Sequence, residues 1–337
     1  MRWRDLRKAR ACPQFWLSGA LIALGTLAVG LMPAKAQSQN PTQRVAVRLN
    51  FLPGAEHAFL YLGREKGWFA KEDIDLEIIA GQGSTVAVKT VASGEDQFAI
   101  ADTASVARGW EAGVPLIYVA MLLKTTPAAV FSLPAKNISA MSDLCGKRLG
   151  INLKSTAAEQ FRAMLRATRL TCAIEEIPMN AGGSKEVLAG LVDAAVNFSY
   201  TDALRVKLKN GSVNLIPARQ FFDFFSLGMI TSQKMLAEHP DLVHRFVGIS
   251  LSSLRYALRN KGEALAAFAK AMSNIDVAYE SAKFDAFKEL LTDKDAEGTS
   301  IGDQSAEQWS ASLKTLYDIG IVRTPLSAQG RFIPLPH

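Results

Sequence analysis

The feature that most restricts the fold of this chain is an alternation that runs from Val45 to about Asp202. Short apolar runs of strand length take turns with longer amphipathic stretches, and the links between them are short and rich in Gly, Ser and Asp. Val45–Phe51 reads as a buried strand. Pro53-Gly54 turns the chain, and Glu56 to Lys66 reads as a helix that Gly67 can cap, with Trp68 and Phe69 packing after it. Leu76–Ile79 is a second strand; Gly81-Gln82-Gly83-Ser84 is a loop in which Ser84 can cap a helix to Val91, and Ser93-Gly94 stops it. Phe98–Ala101 is a third strand, Asp102-Thr103 opens a helix toward Trp110, and Gly113–Pro115 leads into the strand Leu116–Met121. Strands and helices alternating through short links make a mostly parallel sheet covered by helices.

A second set follows. Lys147–Asn152 is a strand, and Ser155 can cap the helix Ala157–Thr168. Ile174–Pro178 is a strand, Gly182-Gly183-Ser184 opens the helix Lys185–Ala189, Ala194–Phe198 is a strand, and Thr201-Asp202 opens another helix. Val91-Ala92-Ser93-Gly94, then Phe98–Ala101, then Asp102 is echoed by Val187-Leu188-Ala189-Gly190, Ala194–Val196 and Asn197. The expectation is an α/β protein of two similarly built lobes facing each other. From about Ser232 strands stop, and Pro240–Asn260, Gly262–Met272, Asp276–Leu290 and Gln304–Ile319 read as a helical C-terminal tail that packs back on the lobe near the start of the chain.

The first 36 residues are of another kind. Arg2, Arg4, Arg7, Lys8 and Arg10 precede an apolar run from Phe15 to Met32, and Ala34-Lys35-Ala36 closes it. A basic start, an apolar middle and a small-residue exit are the parts of a secretory signal. The run of about 18 residues is also near the lower limit for a membrane anchor. Pro33 and the A-x-A site favour cleavage, and so a periplasmic product. This leader holds six of the 38 Lys/Arg and one of the 32 Asp/Glu, which leaves 32 and 31 in the remainder. The basic balance therefore belongs to the leader, and the concentrated basic surface of a nucleic-acid binder is absent from the sequence. Cys145 and Cys172 survive cleavage, each just before an expected strand. Neighbouring parallel strands would bring them close, so they form either a bridge or two buried thiols.

Enzyme signatures are missing: no H-E-x-x-H, no phosphate loop, no G-x-S-x-G, and no third glycine after Gly81-Gln82-Gly83 for a dinucleotide. No metal and no cofactor are expected. Ligands of open α/β sheets sit at the C-terminal ends of the parallel strands, where helix N–H groups point. Five loops occupy that edge. In the first, after Phe51, His57 starts a helix that favours its neutral form, and Glu56 is either an acceptor for an amine or a stabiliser of the helix start. Gln82, Gly83 and Ser84 offer an amide and backbone N–H groups, or only a turn. Asp102 with Thr103, and Ser155 in the Lys154–Thr156 loop, are ligand contacts or plain caps. Asn197, Phe198 and Tyr200 end a second-lobe strand with aromatic rings on which a flat ligand can stack. Most of the run Phe221-Phe222-Asp223-Phe224-Phe225 is expected in the core or at a hinge.

Leu49-Asn50-Phe51-Leu52-Pro53-Gly54-Ala55-Glu56-His57, Gly67-Trp68-Phe69-Ala70-Lys71-Glu72, Gly81-Gln82-Gly83-Ser84, Val91-Ala92-Ser93-Gly94 and Ala101-Asp102 resemble, in order and spacing, solute-binding proteins of the thiamine-precursor (pyrimidine) group. Asp143-Leu144-Cys145-Gly146-Lys147-Arg148-Leu149-Gly150 resembles their D-L-x-G-K-x-x-G, and Gly190-Leu191-Val192-Asp193-Ala194 their G-x-V-D-A. The resemblance implies a two-lobed periplasmic binding protein of type II-like fold. Its lobe one would be residues 40–130 plus 228–337 and its lobe two residues 131–227. It would act as a monomer that closes on a small molecule and docks on an ABC permease with its ATPase subunit. His57 falls where the pyrimidine group starts a helix with His, whereas Glu56 stands where many of that group have Asn. The wider family also takes sulfonates, nitrate and riboflavin-like compounds, and a carboxylate at position 56 argues against the anions. An enzyme is the other alternative, because fungal pyrimidine synthases share the fold and a matching His; the cysteine cluster of those synthases has no counterpart here. A sensor input would need a kinase or membrane-linker segment that the sequence does not show.

Overall fold

The computed structural model describes residues 42–180, 182–292 and 301–334; the leader, residues 1–36, lies outside them. Its strands are β1 (Gln43–Arg48), β2 (Ile74–Ile79), β3 (Phe98–Asp102), β4 (Leu116–Leu123), β5 (Ala128–Ser132), β6 (Arg148–Ile151), β7 (Glu175–Pro178), β8 (Ala194–Phe198), β9 (Asn214–Pro217) and β10 (Leu227–Ser232). Its α-helices are α1 (Ala58–Glu65), α2 (Ser84–Ser93), α3 (Thr103–Glu111), α4 (Thr156–Thr168), α5 (Ser184–Leu188), α6 (Leu204–Asn210), α7 (Gln233–Glu238), α8 (Pro240–Arg259), α9 (Lys261–Ala271), α10 (Val277–Thr292) and α11 (Ala306–Asp318). No helix among the described residues is long and apolar enough to cross a membrane.

The strands form two five-stranded sheets, ordered β2-β1-β3-β10-β4 and β7-β6-β8-β5-β9. The two orders superimpose element for element. In each sheet β1-type, β2-type and β3-type strands run parallel, and one strand is antiparallel to both its neighbours: β10 between β3 and β4, β5 between β8 and β9. These two antiparallel strands are the ones that follow the crossings from one sheet to the other, at residues 124–127 and 218–226. The sequence reading did not foresee β5, β9 or β10. Their side chains are as apolar as those of the parallel strands, but their pairing depends on where a distant crossing delivers them.

Strands β4 and β5 are buried along their whole length, although β4 ends its sheet, as expected of sheets covered on both faces. Helices α8 and α9 pack on α1, which places that part of the tail on the lobe where the chain starts. Helix α11 does more. Trp309, fully buried, lies against Tyr118 of β4 and Phe225 of the second crossing, with ring centroids 4.9 and 5.1 Å apart. The Arg166 guanidinium of α4 donates to the carbonyl of Ile319 just past α11. One apolar cluster thus holds residues of both sheets, Phe222, Phe224 and Phe225 among them. The two crossings are also tied directly, because Asp223 Oδ1 accepts from Thr125 Oγ1 at 2.9 Å and from the Thr126 and Phe224 N–H groups at 3.0 Å.

Cys145 and Cys172 form a disulfide, with Cα atoms 5.5 Å apart and a sequence separation of 27. It links the starts of β6 and β7, at the end of the sheet opposite the candidate ligand edge. On the loop-entropy argument it stabilises the folded chain by about 3–4 kcal/mol. Replacing both residues by Ser should lower the denaturation midpoint by the equivalent of that amount. An unchanged midpoint would mean that the bond contributes nothing.

Candidate functional site

The loop after β1 brings Asn50 to His57 to the top of the first sheet. The expected helix starts here with a separate 3-10 turn, Ala55–His57, and only then becomes α1. Phe51 is exposed at the rim. His57 is 1% exposed and both ring nitrogens are engaged: Nδ1 accepts from the Gly54 N–H at 3.3 Å, and Nε2 lies 2.8 Å from Asn50 Oδ1, so the tautomer that satisfies both carries its proton on Nε2. Burial pushes its pKa down to about 4. The neutral form matches the sequence expectation, but its cause is desolvation, and the ring braces the loop instead of presenting a free nitrogen.

Glu56, expected as an acceptor for an amine or as a stabiliser of the helix start, is also buried, and a cation of the chain itself meets its carboxylate. Lys283 Nζ of α10 sits 2.6 Å from Glu56 Oε2. Burial works to raise the carboxyl's pKa, yet the ammonium and the neighbouring groups outweigh it and the net shift is downward. Burial likewise opposes the charge on Lys283, and Glu56 and Glu280 reverse it, so the net shift is upward. Both groups are therefore ionised. Removing one partner from such a pair costs about 3–5 kcal/mol, since it strands a buried charge. Glu280, one turn before Lys283, accepts from the Ala55 N–H at 2.7 Å and fixes α10 to the same loop.

The second lobe reaches this place through a π-turn, Ser199–Ala203, that follows β8. Tyr200 is buried and lies between Phe198 and Phe287 of α10, with ring centroids 6.2 and 5.6 Å away. Burial raises its pKa well above the usual phenol value, and the nearby Glu56 carboxylate adds to the shift. Arg205 stacks on Tyr279 of α10 at 3.6 Å from the ring centroid. Glu56, His57, Tyr200, Tyr279 and Lys283 thus converge where the two lobes and α10 meet.

The remaining expected residues form other groups. Gln82 is exposed, and Gly83, not Ser84, is the N-cap of α2. Ser84 is the first helical residue, and its Oγ accepts from the Asp102 N–H at 3.0 Å. A glycine N-cap has no side chain to take the helix N–H groups. Gly81 beside it has no room for a Cβ, which would lie 1.9 Å from the Leu49 carbonyl oxygen. Asp102 caps α3 by accepting from the Ser105 N–H at 2.8 Å, while Thr103 is fully buried with its hydroxyl on that of Tyr118. Thr103 therefore faces the core. Ser155 caps α4 through the Ala158 N–H at 3.1 Å. Asn197 donates to Asp202 at 2.6 Å within the second lobe. Arg108 of α3 pairs with Glu159 of α4 and so joins the two lobes. Sequence reasoning missed Lys283, Tyr279 and Arg205, which stand on elements that gave no motif.

Two lobes of this strand order, joined by two crossings, are the architecture of periplasmic binding proteins. The periplasmic aliphatic sulphonate binding protein SsuA from Escherichia coli has the same fold, with a TM-score of 0.68 at 13% identity, covering 86% of this chain and 97% of that one. The chain belongs to the NMT1/THI5 like family, which matches it over residues 54–264. The riboflavin-binding protein RibY of Chloroflexus aurantiacus is 23% identical over 311 residues, covering 89% of this chain and 88% of that protein. The formylaminopyrimidine-binding protein of Halalkalibacterium halodurans is 22% identical over 312 residues, covering 88% and 92%.

His57 carries a pH signature. Its folded pKa of about 4 lies below the ordinary value of 6.5, so between these values the unfolded chain binds the proton and the folded chain does not. Stability contributed by the neutral ring is complete above pH 6.5 and falls away toward pH 4, by roughly 3 kcal/mol. Unfolding free energies of the wild type and His57→Gln should therefore converge as the pH is lowered through this window. Parallel profiles would contradict the buried neutral ring.

Proposed function

We propose that this protein is the exported solute-binding component of an ABC importer. It captures a small planar nitrogen heterocycle between its lobes and performs no catalysis. The observation that carries the proposal is the convergence of Glu56 and Lys283 on one lobe with Tyr200 on the other, a polar pair beside a set of aromatic rings. A flat ring stacks on aromatic faces while polar groups read its edge. Riboflavin and formylaminopyrimidine, named for two of the relatives, are both planar nitrogen heterocycles.

In this proposal residues 1–36 direct export to the periplasm, residues 40–130 plus 228–337 form lobe one, and residues 131–227 form lobe two. The crossings at 124–127 and 218–226, knotted by Asp223, are the hinge. Closure about the hinge buries the ligand, and the closed monomer docks on the permease, whose ATPase subunit drives transport. Phe51, His57, Gln82, Gly83, Asp102, Ser155, Asn197 and Phe198 line the approach or support the groups that do.

A second reading, capture of a small organic anion such as an alkanesulfonate, is favoured by the N-terminus of α2, where the glycine cap leaves N–H groups without a side-chain acceptor. A thermal-shift panel of aminopyrimidines, riboflavin, nucleobases, alkanesulfonates and nitrate separates the two. A heterocycle at about 100 times its Kd should stabilise the protein by roughly 2.7 kcal/mol, with no response to the anions. Response to anions alone would move the ligand to α2 and leave the transport role in place.

A further inference from the structure

We propose that Glu56 and Lys283 act as one specificity element, which reads a ligand edge carrying an N–H donor beside a carbonyl or ring-nitrogen acceptor. This rests on the heterocycle-binding reading and names the chemistry that selects within it. The pair is preformed on a single lobe. Glu56 stands on the loop after β1, Lys283 on α10, and the Glu280 carboxylate holds α10 to that loop through the Ala55 N–H at 2.7 Å. Gly54 makes the pair possible, because a Cβ there would lie 2.2 Å from Lys283 Nζ and 2.3 Å from Glu56 Oε2.

The cover over the pair comes from lobe two. Tyr200 packs on Phe287 of α10, and Arg205 lies over Tyr279. Separation of the lobes would lift these contacts and uncover the pair without breaking it. The pair lies at the junction itself, with Glu56 Oε2 2.6 Å from Lys283 Nζ and the Tyr200 hydroxyl near enough to feel the carboxylate's charge. A carboxylate can accept more than one hydrogen bond, so Glu56 can take a donor brought by the ligand beside the ammonium. Lys283 has three N–H donors and gains from an adjacent acceptor.

The couple therefore suits a neutral edge with donor and acceptor side by side, such as a lactam or an aminopyrimidine. A sulfonate or nitrate offers acceptors only and sets a second negative charge beside Glu56. An ammonium ligand meets Lys283. Either one leaves half of the couple unsatisfied, so the pair rejects ions of both signs.

Calorimetric titration of the exported protein tests this with matched probes: riboflavin and 3-methylriboflavin, 4-amino-2-methylpyrimidine and its 4-dimethylamino derivative, and ethanesulfonate. The wild type should bind at least one parent heterocycle, and alkylating its N–H should weaken binding by roughly 10- to 100-fold. The double variant Glu56→Met/Lys283→Met removes both charges together and should keep a cooperative melt while losing that discrimination. Glu56→Gln, which keeps a carbonyl acceptor, should retain part of it. If the double variant still discriminates as the wild type does, or if the wild type binds parent and alkylated probes alike, the specificity element is wrong and heterocycle binding stands. Binding of ethanesulfonate alone, or of no probe, overturns both.

Discussion

A buried carboxylate–ammonium pair, Glu56 with Lys283, fastens the C-terminal helices to the mouth of the first lobe. Taking two charges out of water costs several kcal/mol for each, and attraction offsets this only when the geometry is good. Such a pair is a poor way to gain stability and a good way to fix position. Here it sets where α10 lies, and α10 in turn sets how the lobes meet. Its Tyr279 and Phe287 touch Arg205 and Tyr200 of the second lobe, while its Glu280 holds the loop that His57 braces from beneath.

The rest of the architecture keeps that meeting point single. Each sheet places its parallel strands with their C-terminal ends toward the junction, and each receives one antiparallel strand from the other lobe's crossing. The two crossings lie next to each other. Asp223 ties them side by side. Trp309 packs with Tyr118 of the first sheet and Phe225 of the second crossing, inside an apolar cluster that draws on both sheets.

What the sequence revealed follows from how local each signal is. Asp102 and Ser155 were readable as caps because a cap bonds within its own turn. Ser84 was misplaced by one residue, since a glycine N-cap displays no side chain to identify it. The internal echo around Gly94 and Gly190 was readable because both glycines adopt positive φ at corresponding helix ends. Strands β5 and β10 were not, because Ala128–Ser132 and Leu227–Ser232 take their direction from the crossings and not from their own residues. Lys283 illustrates the limit most clearly. It reads as one more lysine on an amphipathic tail helix, and its partner lies more than 200 residues earlier. Only packing of the tail on the first lobe brings the two together. Glu56 stood out in the sequence by its place beside His57 at a helix start, but its counter-ion did not.

The central claim is that the junction of Glu56, Lys283 and Tyr200 holds a flat nitrogen heterocycle. The most direct test is native mass spectrometry of the protein taken from the periplasm of its own host, followed by unfolding to release what it carries. The account predicts a released molecule with a planar heterocycle bearing an N–H beside a carbonyl or ring nitrogen. Release of an alkanesulfonate or another ringless anion would contradict it.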